Sequence, residues 1–388
     1  MKILLTALNS KYIHSNLAIR YLRAYTEKLD YNCTIREFTI NDILERVLEE
    51  IMGENPDIVA FSCYIWNIEY VKSLAVLIKL VNPKIKILYG GPEVSYDSRE
   101  FLKSTAGDYV IIGEGEETYS EFVKFLIEYF QNSKEMTNES VFSNFRNIKG
   151  LCFRWQDGII LNEPRKLMDM DKIAFPYDLE EDFRHKIIYY ESSRGCPFNC
   201  KYCLSSTIKG VRFLNVERVK KELEFLITKN ISLIKFVDRT FNCNHEFTVE
   251  LWKFIIDLDT DITFHFEISA DVLTSDEIEL LQKAPKGRIQ LEVGVQTTND
   301  EILSNIDRYV KFKEIEEKVK KVEKYHNVRQ HLDLIAGLPG EDFKSFKKSF
   351  NDVYSLRPDE IQLGFLKLLK GSSMREEAKN WGMVYSPY

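Results

Sequence analysis

The chain has 388 residues, 44% of them hydrophobic and 29% charged, and carries a formal net charge of −7. Such a length suggests two or three domains, and such a mix is globular, which excludes disorder or a collagen-like repeat for the bulk of it. The acidic balance argues against nucleic acid as a partner, and every apolar run meets a Lys, Asn or Pro well before the ~20 residues that a membrane helix needs. The opening MKILLTALNS turns polar too early for a signal peptide, so the expected location is cytoplasmic, with no membrane contact.

The first third alternates strand and helix patterns. Residues 2–8 (KILLTAL) read as a buried strand, 16–29 have apolar residues at helical spacing, and 34–40 are strand-like. A helix at 41–54 opens on an Asn-Asp cap and ends near Gly53 and Pro56, and 57–64 is a strand. A helix at 67–81, a strand at 85–91, a short helix near 98–105, a strand at 109–115 and a helix at 116–131 complete five units. This alternation implies a five-stranded parallel sheet with helices on both faces, in a flavodoxin-like or Rossmann-like order, with ligands beyond the carboxyl ends of the strands. The first domain is expected at 1–133, and 134–181 reads as a polar linker with a hairpin around Asp157-Gly158.

A second alternation fills 182–388. Candidate strands lie at 186–193, 232–238, 261–269, 287–295, 329–337 and 360–366, with helices near 215–229, 246–257, 275–283, 299–305, 311–326 and 342–355. Six such units suggest a partial (β/α)6 barrel, so the expected class is α/β throughout. In 311–329 glutamates alternate with lysines, which reads as a solvated amphipathic helix and not a nucleic-acid helix.

Seven cysteines, an odd number in a chain without an export signal, argue against a disulfide framework. Cys33, Cys63, Cys152 and Cys243 stand singly and fit small buried hydrophobes. Cys196, Cys200 and Cys203 form C-x3-C-x2-C directly after a candidate strand. A tetrahedral zinc site wants four ligands, commonly as two C-x2-C pairs, and no fourth Cys or His follows at such a distance. Three thiolates suit a cubane iron–sulfur cluster with one iron left open.

This cysteine pattern, with an aromatic residue before the last Cys, resembles the radical SAM superfamily. FVDRTFN (236–242), FEISAD (266–271), LEVGVQTTNDEILSNIDR (291–308) and DLIAGLPGE (333–341) resemble its later motifs in the same order. The resemblance implies that Cys196, Cys200 and Cys203 ligate a [4Fe-4S] cluster as metal ligands and catalytic residues. The cluster's open iron would chelate S-adenosylmethionine (SAM), whose reductive cleavage gives a 5′-deoxyadenosyl radical. Tyr202 would lie by the adenine or the cluster edge, or pack in the core. Glu292 and Gln296, on one face of a strand, would hydrogen-bond the SAM ribose and methionyl group, or form a polar layer. Arg308 would pair with the SAM carboxylate or make a surface ion pair. Gly337 would admit a backbone close to the adenine, or simply turn the chain. The Gly-Gly-Glu amine-binding motif is missing, and Asp238 stands in that region as a further SAM contact.

A doubly wound domain ahead of this core resembles the cobalamin-dependent subgroup, some of whose members share the stretch NSKYIHSNLAIRYL found at 9–22. Tyr12-x-His14-x-x-Leu17 occupies the place of the cobalamin motif D-x-H-x-x-G, with only the His retained. Its imidazole is a cobalt ligand, another pocket contact or a loop residue, and the orienting Asp is replaced by Tyr12. The resemblance further implies cobalamin contacts at Ser62, Gly90, Gly91, Glu114 and Gly115. A nicotinamide domain is excluded because no G-x-G-x-x-G follows the first strand.

The reaction implied is methyl transfer to an unreactive carbon of a small molecule or peptide, fed by an electron donor such as flavodoxin or ferredoxin. Ring contraction or cyclisation is the nearest alternative. A tRNA methylthiotransferase is a second one, against which stands the lack of another three-cysteine cluster. A non-catalytic cobalamin module is a third, against which stand the three clustered cysteines. The last segment resembles the end of a radical SAM core and is expected to be truncated at its C-terminal end.

Overall fold

Alternate residues of the first strand serve two different cores. In β1 (Lys2–Asn9), Leu4 and Leu8 pack with one apolar cluster, whereas Ile3, Leu5 and Ala7 pack with another. A parallel strand buried on both faces needs this continuous apolar run. Around β1 lie β2 (Asn32–Thr39), β3 (Ile58–Ser62), β4 (Lys86–Gly90) and β5 (Tyr109–Ile111), all parallel. Helices α1 (Leu17–Tyr25), α2 (Leu44–Gly53), α3 (Ile68–Val81), α4 (Pro92–Ser95), α5 (Ser98–Lys103) and α6 (Glu116–Asn132) alternate with them. The α2–α5 helices supply one core, through Val47, Val71, Val94 and Phe101, and α1 and α6 the other, through Ile19 and Phe122.

The sheet has seven strands and not five, in the order β2-β1-β3-β4-β5-β6-β7. The segment read as a connecting hairpin is part of it. Strand β6 (Leu151–Trp155) pairs antiparallel with β5, and β7 (Gly158–Leu161) antiparallel with β6. The physical reason is that β5 is three residues long and would leave both cores open at its edge. Cys152 closes one core and Leu151 and Phe153 the other, all fully buried. The supposed linker also holds α7 (Asn138–Asn147), capped by Thr137, which accepts from Ser140 N at 3.1 Å, and anchored by Phe145. One buried aromatic in a polar stretch is too thin a period to reveal that helix.

The structure, a computed structural model, describes residues 1–132, 134–177 and 181–385 and divides into two units, one ending at Asp182 and one beginning at Phe183. The second unit starts with β8 (Ile188–Tyr190) and an antiparallel hairpin of β9 (Ser193–Cys196) and β10 (Gly210–Phe213). Strands β11 (Leu233–Phe236), β12 (Thr263–Ile268), β13 (Ile289–Gln296), β14 (Arg329–Ala336) and β15 (Glu360–Phe365) follow. They join β8 in a six-stranded, wholly parallel sheet of order β15-β14-β13-β12-β11-β8. Between them run α8 (Val216–Ile227), α9 (His245–Asp257), α10 (Ser275–Leu281), α11 (Asp300–Asn305), α12 (Phe312–Glu323) and α13 (Phe343–Ser355), and α14 (Ser373–Glu377) follows the last strand. The six strand–helix units stand where the hydrophobic pattern placed them. Among the described residues no helix is long and apolar enough to cross a membrane.

Candidate active site and cofactor cradle

The cysteine loop is held at both ends by backbone. Its entry strand β9 pairs Cys196 opposite Gly210. Gly195 has φ +106°, and a Cβ there would lie 2.1 Å from Gly210 O, so only glycine fits. Further on, Lys201 N donates to Ile306 O at 3.0 Å, and Lys201 O accepts from Met374 N at 3.0 Å. The loop is thus clamped between the end of α11 and the start of α14. Buried Asp238 fixes the entry, accepting from Ser192 N at 3.0 Å, from Ser192 Oγ at 2.6 Å and from Ser193 Oγ.

The loop caps a cavity of about 150 Å³. Cys196, Cys200, Tyr202 and Cys203 line one wall, and Arg239, Glu267, Glu292, Gly294, Gln296, Arg308 and Asp333 line the others. Cys196 Sγ lies 3.4 Å from Thr240 Oγ1, and Arg308 Nη1 donates to Cys200 Sγ at 3.8 Å. Burial pushes the Cys200 thiol up, and the Arg308 guanidinium opposes it. Among the described residues no three His, Cys, Asp or Glu side chains converge as a single metal ion requires. A cubane does not need that convergence, because its thiolates bind different irons.

One face of the second sheet is charged where parallel sheets are usually apolar. The Glu292 carboxylate accepts from Lys235 Nζ at 2.9 Å and His265 Nε2 at 2.8 Å. Burial works against its charge, but the hydrogen bond to His265 and the neighbouring Lys235 ammonium hold it well below the usual glutamate range. Asp333, opposite Gly294 in the β13–β14 register, is pushed up to about 8 by burial and by neighbouring Glu292. Its Oδ1 is buried with no hydrogen-bond partner among the described residues, and so is Arg308 Nε. An unpartnered carboxyl oxygen and an unpartnered guanidinium N–H on two residues of one cavity lining suit a zwitterionic ligand with hydroxyl groups, which SAM is. Gln296, at φ +69°, lays its amide over Gly294, where a Cβ would come within 2.3 Å of Nε2.

Of the SAM contacts expected from the sequence, Tyr202, Glu292, Gln296 and Arg308 line the cavity. Asp238 does not; its carboxylate is spent on Ser192 and Ser193, which makes it a support of the cysteine loop. Gly337 is an exposed turn glycine at φ +87°, also outside the lining. Sequence reasoning missed Arg239, Glu267 and Asp333. A signal for Asp333 was present: in β14 Gln330, Leu332 and Leu334 are buried on one face, and His331 and Asp333 alternate with them on the other.

In the first unit, the carboxyl ends of β1 and β3 meet the loop that carries His14. Asn9 Nδ2 donates to His14 O at 3.1 Å, and Asn16 Nδ2 to Ser62 Oγ at 2.9 Å, tying that loop to β1 and β3. Asn67 Nδ2 joins the same strand ends, donating to Leu8 O at 3.1 Å and Ser62 O at 3.0 Å. Gly91 has φ +112°, and a Cβ there would sit 2.5 Å from Cys63 O, so the Gly90-Gly91 turn lies flat against β3. Tyr12 is 69% exposed and Trp66 48%, and the Tyr64 and Trp66 rings stack at 4.4 Å. Exposed Ile13, Ile65 and Tyr96 stand with them on the loops and the helix that follow β1, β3 and β4, the sheet end at which such folds bind ligands. Glu114 accepts from Met168 N at 3.0 Å, and neighbouring Gly115 abuts Leu22. The stacked Tyr64 and Trp66 escaped the sequence reading, although two aromatics directly after a strand in such a fold point to a ligand surface.

Two family models match, each on one unit: the B12 binding domain over residues 3–123 and the radical SAM superfamily over 190–353. The chain belongs to the cobalamin-binding radical SAM family. Cobalamin, SAM and an iron–sulfur cluster are the cofactors of that family. This radical SAM protein is 26% identical over 336 residues to an uncharacterized methyltransferase of Pyrococcus horikoshii, covering 84% of this chain and 70% of the relative. It is 22% identical to the cobalamin-dependent radical SAM methyltransferase TokK of Streptomyces tokunonensis, covering 91% of this chain but only 53% of TokK. It thus spans about half the length of that longer relative. In fold it is similar to the radical SAM methyltransferase TsrM from Kitasatospora setae, solved with cobalamin and a [4Fe-4S] cluster bound, with a TM-score of 0.78, 16% identity, and coverage of 100% of this chain and 76% of TsrM.

Proposed function

We propose that this radical SAM protein methylates an unreactive carbon of a small molecule or peptide. The observation that carries the proposal is the pairing, in one chain, of a three-thiol cavity with an apolar aromatic sheet edge in a B12 binding domain. When bound, the cluster and SAM supply a carbon radical and cobalamin supplies a transferable methyl group. The chain's own part is to hold and shield. Cys196, Cys200 and Cys203 ligate the cluster at the mouth of a partial (β/α)6 barrel formed by the six strand–helix units. Arg308 and Gln296 orient the methionyl end of SAM, and Tyr202 packs beside it. Asp333, with its unpartnered oxygen, takes a ribose hydroxyl, and Glu292 fixes the wall behind it through Lys235 and His265. In the first unit, Tyr12, Tyr64 and Trp66 bear the corrin face, while His14, Gly90, Gly91, Glu114 and Gly115 border it. Ser62 acts through Asn16, which it holds in place. A low-potential electron carrier such as flavodoxin or ferredoxin supplies the electron, and the expected location is the reducing cytoplasm.

The methylthiotransferase reading needs a second thiolate cluster in the first unit. Cys33 packs on one face of that sheet, whereas Cys63 and Cys152 pack on the other, so they are small hydrophobes of two separate cores. The test of methyl transfer uses SAM with a trideuterated methyl group. Anaerobically reconstituted protein with hydroxocobalamin and a strong reductant should yield trideuteromethyl cobalamin and 5′-deoxyadenosine. Formation of 5′-deoxyadenosine with no label on cobalamin would reduce the reading to a radical SAM enzyme of another reaction type.

A further inference from the structure

The three cysteines of the cavity are not equivalent. Cys200 is 6% exposed, whereas Cys196 and Cys203 are half-buried. Cys196 faces a neutral hydroxyl, that of Thr240. Cys200 faces a guanidinium, with Arg308 Nη1 at 3.8 Å from Sγ. That guanidinium is fixed, because Nη2 donates to Gly294 O beside the β13 bulge. Nε is the donor left over, buried and without a hydrogen-bond partner among the described residues. Arg308 therefore cannot offer two parallel donors to a carboxylate without releasing Cys200 or Gly294.

We infer that Arg308 is a positioning residue that raises the reduction potential of the cluster held by Cys196, Cys200 and Cys203, through its charged hydrogen bond to Cys200 Sγ. The inference rests on the reading of the three thiols as cluster ligands. Hydrogen bonds to cluster sulfurs and nearby charge are established controls of potential. Reduction adds one electron, supplied by a low-potential electron carrier, and makes the cluster more negative by one charge. A buried cation that stays protonated at every accessible pH stabilises that added charge, and the dry surroundings of Cys200 strengthen the effect. The bond needs no SAM, so the potential is set before SAM binds, and SAM engages Arg308 through the remaining Nε.

The experiment is a redox titration of anaerobically reconstituted full chain without SAM, followed by the signal of the reduced cluster. Iron and sulfide content is measured first, because loss of the cluster in Cys200→Ala, and its presence in wild type, tests the ligand reading separately. Arg308→Gln should keep the cluster and titrate at a more negative potential than wild type, and Arg308→Lys, which keeps the charge, should recover part of the shift. An Arg308→Gln protein with a full cluster and the wild-type potential would overturn the inference. Should that variant fail to assemble, wild type labelled with guanidino-15N arginine decides. Pulsed paramagnetic resonance of the reduced cluster should show a 15N coupling that Arg308→Lys removes, and its absence in wild type overturns the inference equally.

Discussion

The two ligand surfaces of this chain are built on opposite physical plans. The cavity of the second unit works through single atoms: three thiols, the Arg308 guanidinium on Cys200, and the Glu292 carboxylate held by Lys235 and His265. The sheet end of the first unit offers area instead, with exposed Tyr12, Ile65, Trp66 and Tyr96 on the segments that follow its strands and a tight glycine turn after β4. A site made of atoms fails when one atom is removed. A site made of area loses affinity in proportion to what is removed, so its residues can drift while the site survives.

The sharpest break of that contrast is expected at the cysteines. Cys200→Ala should abolish cluster assembly, measured as iron and sulfide per chain, and leave cobalamin binding intact. Next in size is Glu292→Gln, which leaves Lys235 and His265 facing each other without their shared carboxylate. Urea unfolding of the apoprotein at pH 7 should show a loss of about 2 kcal/mol. Because the folded value of Glu292 is depressed, this contribution is present above the ordinary glutamate range. It fades as pH falls through the folded value.

The difference between the two plans also explains what could be read from sequence. A thiolate at fixed spacing is a strong local signal, so Cys196, Cys200 and Cys203 were evident before any fold was known. Tyr202, Glu292, Gln296 and Arg308 were reachable because they sit in ordered motifs. Asp238 looked equivalent to them, but its neighbours Ser192 and Ser193 come from 45 or more residues away and take up its carboxylate. Asp333 was hidden inside a motif whose glycine drew attention instead. The aromatic surface of the first unit carried no spacing rule at all, and although Asp157-Gly158 marked the hairpin of β6 and β7, nothing local showed that the hairpin belongs to the first sheet. That membership became visible only through the edge of β5 that the hairpin covers.

Asp333 allows a finer test on the atom-built side. Its folded value is raised, to about 8, so the folded state binds a proton that the unfolded chain releases near the ordinary aspartate range. The stability it contributes is therefore complete at low pH and is lost as pH rises toward 8. Asp333→Asn should stabilise the apoprotein at pH 8 by about 1–2 kcal/mol and flatten that decline, while weakening SAM binding. Denaturant titrations at pH 5 and pH 8 check the slope, and equilibrium dialysis of SAM checks the affinity.

The smallest effects are expected on the area-built side. Trp66→Ala should weaken hydroxocobalamin binding by about 1–2 kcal/mol without abolishing it, as read by equilibrium dialysis. His14→Ala should keep the bound stoichiometry, and the corrin spectrum then reports whether the imidazole was on cobalt. A complete loss of cobalamin in either variant would show that this edge, too, depends on single atoms.

The central claim is that one chain holds both a cubane cluster and a corrin. Metal analysis of the anaerobically reconstituted, desalted full chain tests it most directly. The expected result is roughly four irons and one cobalt per chain, with the iron alone lost in Cys200→Ala. Iron without cobalt in the wild-type protein, or cobalt without iron, would contradict it.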